Sequence, residues 1–197
     1  AGSGTAVGAS IGVSIARNYI GADDLEGGVG DAQAATIRAM VLDSDVRAVG
    51  DLSVTAVSQQ SIQANLVSAS VALAAGGGVG IGASGSGASA ENAIGTVIEA
   101  VVAGADTVPA NTLDLGGALN VQASDQAHIT AQVTAASVAA AFGGKTGAAV
   151  SVGVSLARNM IATQVAAELS AMAGDVGGDM NVVALSEASI AARSSAV

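Results

Sequence analysis

Cysteine and tryptophan are absent, proline occurs once (Pro109), and Tyr19 and Phe142 are the only aromatic residues in a chain of 197. Without cysteine there can be neither disulfides nor thiolate metal sites. An ordinary core is filled by large side chains interdigitating at crystal-like density, and this chain has few of them. Half of it is hydrophobic by count, but much of that half is alanine, and there are 27 glycines. Such a composition calls for thin layers, with backbones approaching closely over Ala, Gly and Ser.

Basic residues are scarce as well. Six Lys and Arg stand against sixteen Asp and Glu, a net charge of −10. Nucleic-acid binding needs a basic face to neutralise phosphates, and docking on anionic lipid needs one too, so neither partner is expected. The stretch from Leu52 to Ala90 carries no charge. It is broken by QQSIQAN and GGGVGIGASGSGASA, so it lacks the roughly 20 consecutive apolar residues of a spanning helix, and membrane insertion is not expected. The opening AGSGTAVGAS has neither the basic nor the apolar region of a signal peptide. With no initiator Met, the chain reads as a piece of something longer.

What is present is repetition. GVSIARNYI at 12–20 returns as GVSLARNMI at 153–161, with a middle copy in GSGASAENAI (85–94). GDLSVTAVSQQSIQANLVSASVALAAGG (50–77) returns as GALNVQASDQAHITAQVTAASVAAAFGG (117–144), and in shortened form as GDMNVVALSEASIAARSSAV (178–197). Thus Asn18, Asn92 and Asn159 correspond, as do Val54, Val121 and Val182, and Ile62, Ile129 and Ile190. Repeats of about 70 residues that cannot bury their own faces must stack on one another. One continuous array is expected, with repeat 1 over 1–77, repeat 2 over 78–144 and a truncated repeat 3 over 145–197. The length differences fall in polar, Gly-rich segments, GADDLEGGVGD (21–31) and GADTVPANTLDLGG (104–117), as surface loops allow.

Within each repeat the period is two. Val7, Ala9, Ile11, Val13, Ile15, Arg17 and Tyr19 alternate with Gly8, Ser10, Gly12, Ser14, Ala16 and Asn18. Leu52, Val54, Ala56, Ile62 and Ala64 share a face opposite Ser53, Thr55, Gln63 and Asn65. Alternation of this length predicts strands. From Val67 to Ala75, and from Ala135 to Phe142, both faces turn apolar, which predicts cover on both sides. VTAASVAAAFGG invites an Ala-rich helix, but its counterpart NLVSASVALAAGG is too rich in Ser and Val for one. The expected fold is all-β, a solenoid-like stack of repeats, with a β-sandwich repeat array as the alternative.

Reactive chemistry is thin. Arg17-Asn18, Glu91-Asn92 and Arg158-Asn159 suit an in-register ladder in which Glu91 lies between two arginines. The sole histidine, His128, stands three residues after Asp125, but no G-x-S-x-G elbow accompanies it. GGGVGIG (76–82) lacks the Lys-Ser/Thr of a phosphate loop. One His and no Cys exclude a zinc site of ordinary composition. We therefore expect no catalytic and no cofactor-binding residues. The one metal candidate is the acidic cluster Asp23, Asp24, Glu26 and Asp31, whose oxygens in a Gly-rich loop could hold Ca²⁺, although its spacing fits neither an EF-hand nor a calcium nonapeptide. In the middle copy Gly87 and Ser89 replace Val13 and Ile15, leaving room for a groove.

The pattern GxxVGVSxARNxI followed by GDLxVxAxSxxxIxAxxxAxSVAxAxGG resembles the tandem repeats of giant secreted or cell-surface bacterial proteins, adhesin-like and filamentous-haemagglutinin-like. The resemblance covers nearly the whole chain. It implies an extracellular or bacterial cell-surface location and a non-catalytic, elongated β array serving as stalk or filament. The other function it leaves open is an adhesin module that binds glycan or another ligand through loops, with or without Ca²⁺. The partners expected are neighbouring repeats or further copies of the chain, including end-to-end association through uncovered strand edges.

Overall fold

The computed structural model describes residues 4–22, 34–105 and 110–197. Among them there is no helix, and the chain makes three passes over the same path. The first pass holds β1 (Thr5–Ile20), β2 (Ala35–Leu42), β3 (Val46–Ala48), β4 (Leu52–Ser58) and β5 (Ser61–Gly76). The second holds β6 (Val79–Ala103), β7 (Asn111–Leu115), β8 (Leu119–Asp125) and β9 (His128–Gly143). The third holds β10 (Thr146–Ser170), β11 (Met172–Ala173), β12 (Met180–Ser186) and β13 (Ser189–Ala196). The Ala-rich VTAASVAAAFGG lies in β9, as strand.

Every strand pairing among the described residues is parallel, and each joins a strand to its counterpart one pass away. Four sheets result. β6 lies between β10 on one side and β1 and β2 on the other; the remaining three are β3-β7-β11, β4-β8-β12 and β5-β9-β13. Residues aligned by the sequence repeat are paired, Val54 with Val121 and Val121 with Val182. The register is favoured because inward-facing columns such as Val54–Val121–Val182 and Ile62–Ile129–Ile190 repeat their residue type, and a slip by one would turn every buried side chain outward. The added length of the first pass sits where β1 gives way to β2. Ile20 pairs with Ile94 and Ala35 with Thr96, so the first pass has fourteen residues (21–34) between these pairs where the second has only Gly95. Gly21 makes this departure possible. It has φ +59, and a Cβ there would come within 2.1 Å of the Gly95 carbonyl oxygen.

Two regions differ in what they bury. In the body, the second half of β6 faces β8, and Ile98, Val102, Leu113, Leu119 and Val121 form a conventional apolar core with Val54 and Ala56. A smaller cluster of Ile62, Ile94, Ala127 and Ile129 continues it. Beyond the Asn92 row the two sheets run on as a flat fin, made by the first half of β6 with β1 and β10 on one side and the later parts of β5 and β9 on the other.

The fin is inside out by ordinary standards. Gly8, Gly12, Gly80 and Gly82 point inward, and a Cβ on Gly8 or Gly12 would lie 2.6 or 2.5 Å from the carbonyl oxygen of Leu73 or Ala69. The layers meet backbone to backbone, without the spacing of about 10 Å that interdigitating side chains impose. Ser70 and Ser84 hydroxyls bond across the gap at 2.7 Å. The bulky residues go outside, with Val7 70% and Ile11 83% exposed on one face and Val71 69% and Phe142 64% on the other. Cover on both sides of Val67–Ala75 and Ala135–Phe142 is therefore not what the single chain provides. Their small side chains are covered and their large ones are not, because only glycine, alanine and serine permit this close approach.

Candidate functional site

The densest polar arrangement lies where fin meets body, on three adjacent strands. Arg17 pairs in register with Glu91, and Glu91 with Arg158; Asn18, Asn92 and Asn159 form the next row. Because the period is two, the charged row points outward and the amide row inward. Asn18 Nδ2 donates to Asn92 Oδ1 at 2.8 Å, and Asn92 Nδ2 donates to Asn159 Oδ1 at 2.7 Å. Asn92 is fully buried, so the ladder satisfies amides that would otherwise cost their full desolvation. Outside, Arg17 Nε donates to Glu91 Oε2 at 3.1 Å, and Tyr19 Oη donates to the same oxygen at 3.1 Å. Arg158 reaches the other Glu91 oxygen at 3.8 Å. With Arg17 63% exposed, solvent screens this triad to roughly 0.2–1 kcal/mol per pair.

Pairs of arginine with a carboxylate recur further along, between the first two passes. Arg38 bonds Glu99, and Arg47 Nη2 donates to Asp114 Oδ2 at 2.7 Å, each across one pass. That bond is the main reason the Asp114 carboxyl is held below its ordinary range and the Arg47 guanidinium above its own. Two corner aspartates bond to the backbone of the neighbouring pass. Asp45 accepts from the Thr112 N–H at 2.7 Å, which lowers its pKa most, and from the Thr112 hydroxyl. Asp51 accepts from the Ala118 N–H at 2.7 Å. Sequence reasoning missed both, although the repeated GDL and GDM phrases carried a signal for Asp51.

His128 opens β9 on its outer side, where its Nδ1 lies 2.8 Å from Ser189 Oγ and its Nε2 lies 2.7 Å from Thr130 Oγ1. A hydrolytic triad needs a buried carboxylate on the nitrogen remote from the nucleophile, and here a hydroxyl occupies that place. Asp125 points the other way, into the core. It is fully buried and neither carboxylate oxygen has a hydrogen-bond partner; its period-two spacing from Val121 and Ala123 was the sequence signal for that burial. The calcium candidates Asp23, Asp24, Glu26 and Asp31 lie outside the described residues. Among the described residues no group of three or more His, Asp or Glu is placed to hold a metal ion. The small residues of the middle copy face outward: a Cβ on Gly85 or Gly87 would meet nothing within 4 Å. An open hollow of about 340 Å³ lies against β10 and β11, lined by Leu113, Leu169, Met172, Val176 and Met180, with Asp175 its one ionisable residue.

No protein-family model matches the chain, and no curated protein or solved structure matches it. The argument for function therefore rests on this geometry. The polar groups brought together are engaged with their counterparts one pass away, an arrangement that specifies register and holds passes together.

Proposed function

We propose that the chain is a non-catalytic structural repeat module of a large extracellular or bacterial cell-surface protein, in which solenoid-like passes stack to build a stalk or filament. The observation that supports this reading is the pairing itself. Equivalent residues of successive repeats lie side by side in parallel register, from the Arg–Glu–Arg row to the Val54, Val121 and Val182 column. A sandwich array of Greek keys would pair its strands antiparallel. An array of this kind grows by adding passes at either edge, so neighbouring repeats, or other copies of the chain, are the natural partners of the open strand edges.

Electron microscopy of the purified chain, with Ca²⁺ and with a chelator, tests the reading. Rods or filaments of similar form in both conditions are the expected result. Discrete particles that become ordered only with Ca²⁺ would overturn it. That outcome would favour a calcium-dependent adhesin module built around Asp23, Asp24, Glu26 and Asp31.

A further inference from the structure

One outer face of the fin carries relief as well as apolar surface. On β1, Val13 and Ile15 are 66% and 64% exposed; on β10, Val154 and Leu156 are 59% and 49% exposed. Between them in the same rows lie Gly87 and Ser89 of β6, with Gly85 one row further toward the tip. Two ridges about 10 Å apart thus wall a trough one strand wide. The nearest ionisable row on this face is Arg17, Glu91 and Arg158 at the fin's base.

We propose that the chain pairs laterally with a second copy of itself through this face, each copy seating its Val154–Leu156 ridge in the other's Gly87–Ser89 trough. A two-fold axis running along the strands, midway between β6 and β10, brings ridge and trough together reciprocally, as an isologous contact requires. The same operation sets Arg158 of each copy opposite Glu91 of the other, because both stand one strand apart in a single row. Opposite charges then meet at the base and no like charges meet along the fin, despite the net charge of −10. A lipid surface would accept the apolar side chains but makes no use of a trough of fixed width. A second rigid face does.

The two-fold lays β6 and β10 of one copy on β10 and β6 of the other and leaves β1 beyond the partner's edge, so the overlapping face measures roughly 27 by 10 Å, or about 270 Å². That is about a third of the 800 Å² per partner found in stable interfaces, so pairing of this chain is reversible and concentration-dependent. Each further pass in a longer array adds roughly 130 Å². The contact is lateral and does not rest on the stacking of passes end to end.

The absence of cysteine allows a direct test. Gly87→Cys and Val154→Cys, made singly, mixed in equal amounts and mildly oxidised, should yield a disulfide-linked heterodimer. Its yield should be several-fold above that of either variant alone and above that of Val71→Cys on the opposite face. Circular dichroism melts check that the variants remain folded, and sedimentation velocity of the unsubstituted chain should show dimer growing with concentration. Equal cross-linking at all sites would overturn the proposal, as would a dominant Val71→Cys product. So would a chain that stays monomeric at every concentration, or one that floats with phosphatidylcholine vesicles instead of dimerising.

Discussion

Asp125 illustrates how a single side chain can be out of keeping with its column. Its neighbours in register are Ser58 and Ser186, and of the three only Asp125 brings a carboxyl group into the interior. Ser58 is also buried, and its hydroxyl lacks a partner. A buried carboxylate without hydrogen bonds is costly, whereas serine gives up a single hydroxyl. Asp125→Ser, which continues the serine column, should therefore stabilise the chain by about 1–3 kcal/mol, read as a higher denaturant midpoint at neutral pH. A lower midpoint would mean that the carboxylate holds a bound partner. Local composition did not reveal this, since SDQAH has that of a solvated turn. The alternation from Val121 and Ala123 nevertheless sets it on the buried face.

At the scale of the strands, the charged row at the base of the fin holds unlike neighbours together. Glu91→Arg would set three arginines side by side and remove the acceptor for the Tyr19 hydroxyl. It should lower stability by about 1 kcal/mol, measured by thermal melting at low salt, with the loss shrinking as salt is added. An unchanged melting point would show that the row contributes nothing to register. Much of this level was legible in advance. The period of two gave strands, and aligning the repeated phrases gave the residues that now pair, including Asn18, Asn92 and Asn159. Alternation does not say which face turns inward. In β4 and the start of β5 the larger face is buried, with Val54, Ala56 and Ile62 inside. In β1 the glycine face is buried and Ile11 and Val13 are out. The difference lies in the opposing layer: the fin's two sheets come so close that a methyl group at Gly8 would strike a carbonyl, which no reading of one strand alone can show.

For the molecule as a whole, contacts between passes contribute to the response to acid. The Asp45 and Asp114 carboxyls are both held below their ordinary range, by the Thr112 backbone N–H and by Arg47 respectively. Groups with lowered folded pKa values contribute stability above the unfolded aspartate value of about 3.9 and lose it as pH falls through the folded values. The denaturation midpoint should therefore drop below about pH 4. Asp45→Asn combined with Asp114→Asn should flatten that limb, and an equally steep fall in the double variant would place the acid sensitivity elsewhere. The stacking direction carries a further consequence. Tension along the stack pulls directly on the hydrogen bonds between passes, while the covalent chain runs across the load and stays slack. When one pass gives way, its 67 residues pay out roughly 220–240 Å of thread before the next is loaded. In the proposed stalk or filament, such a stack under strain would behave as a wound cord that unspools turn by turn, dissipating work at each step while its two ends remain tied.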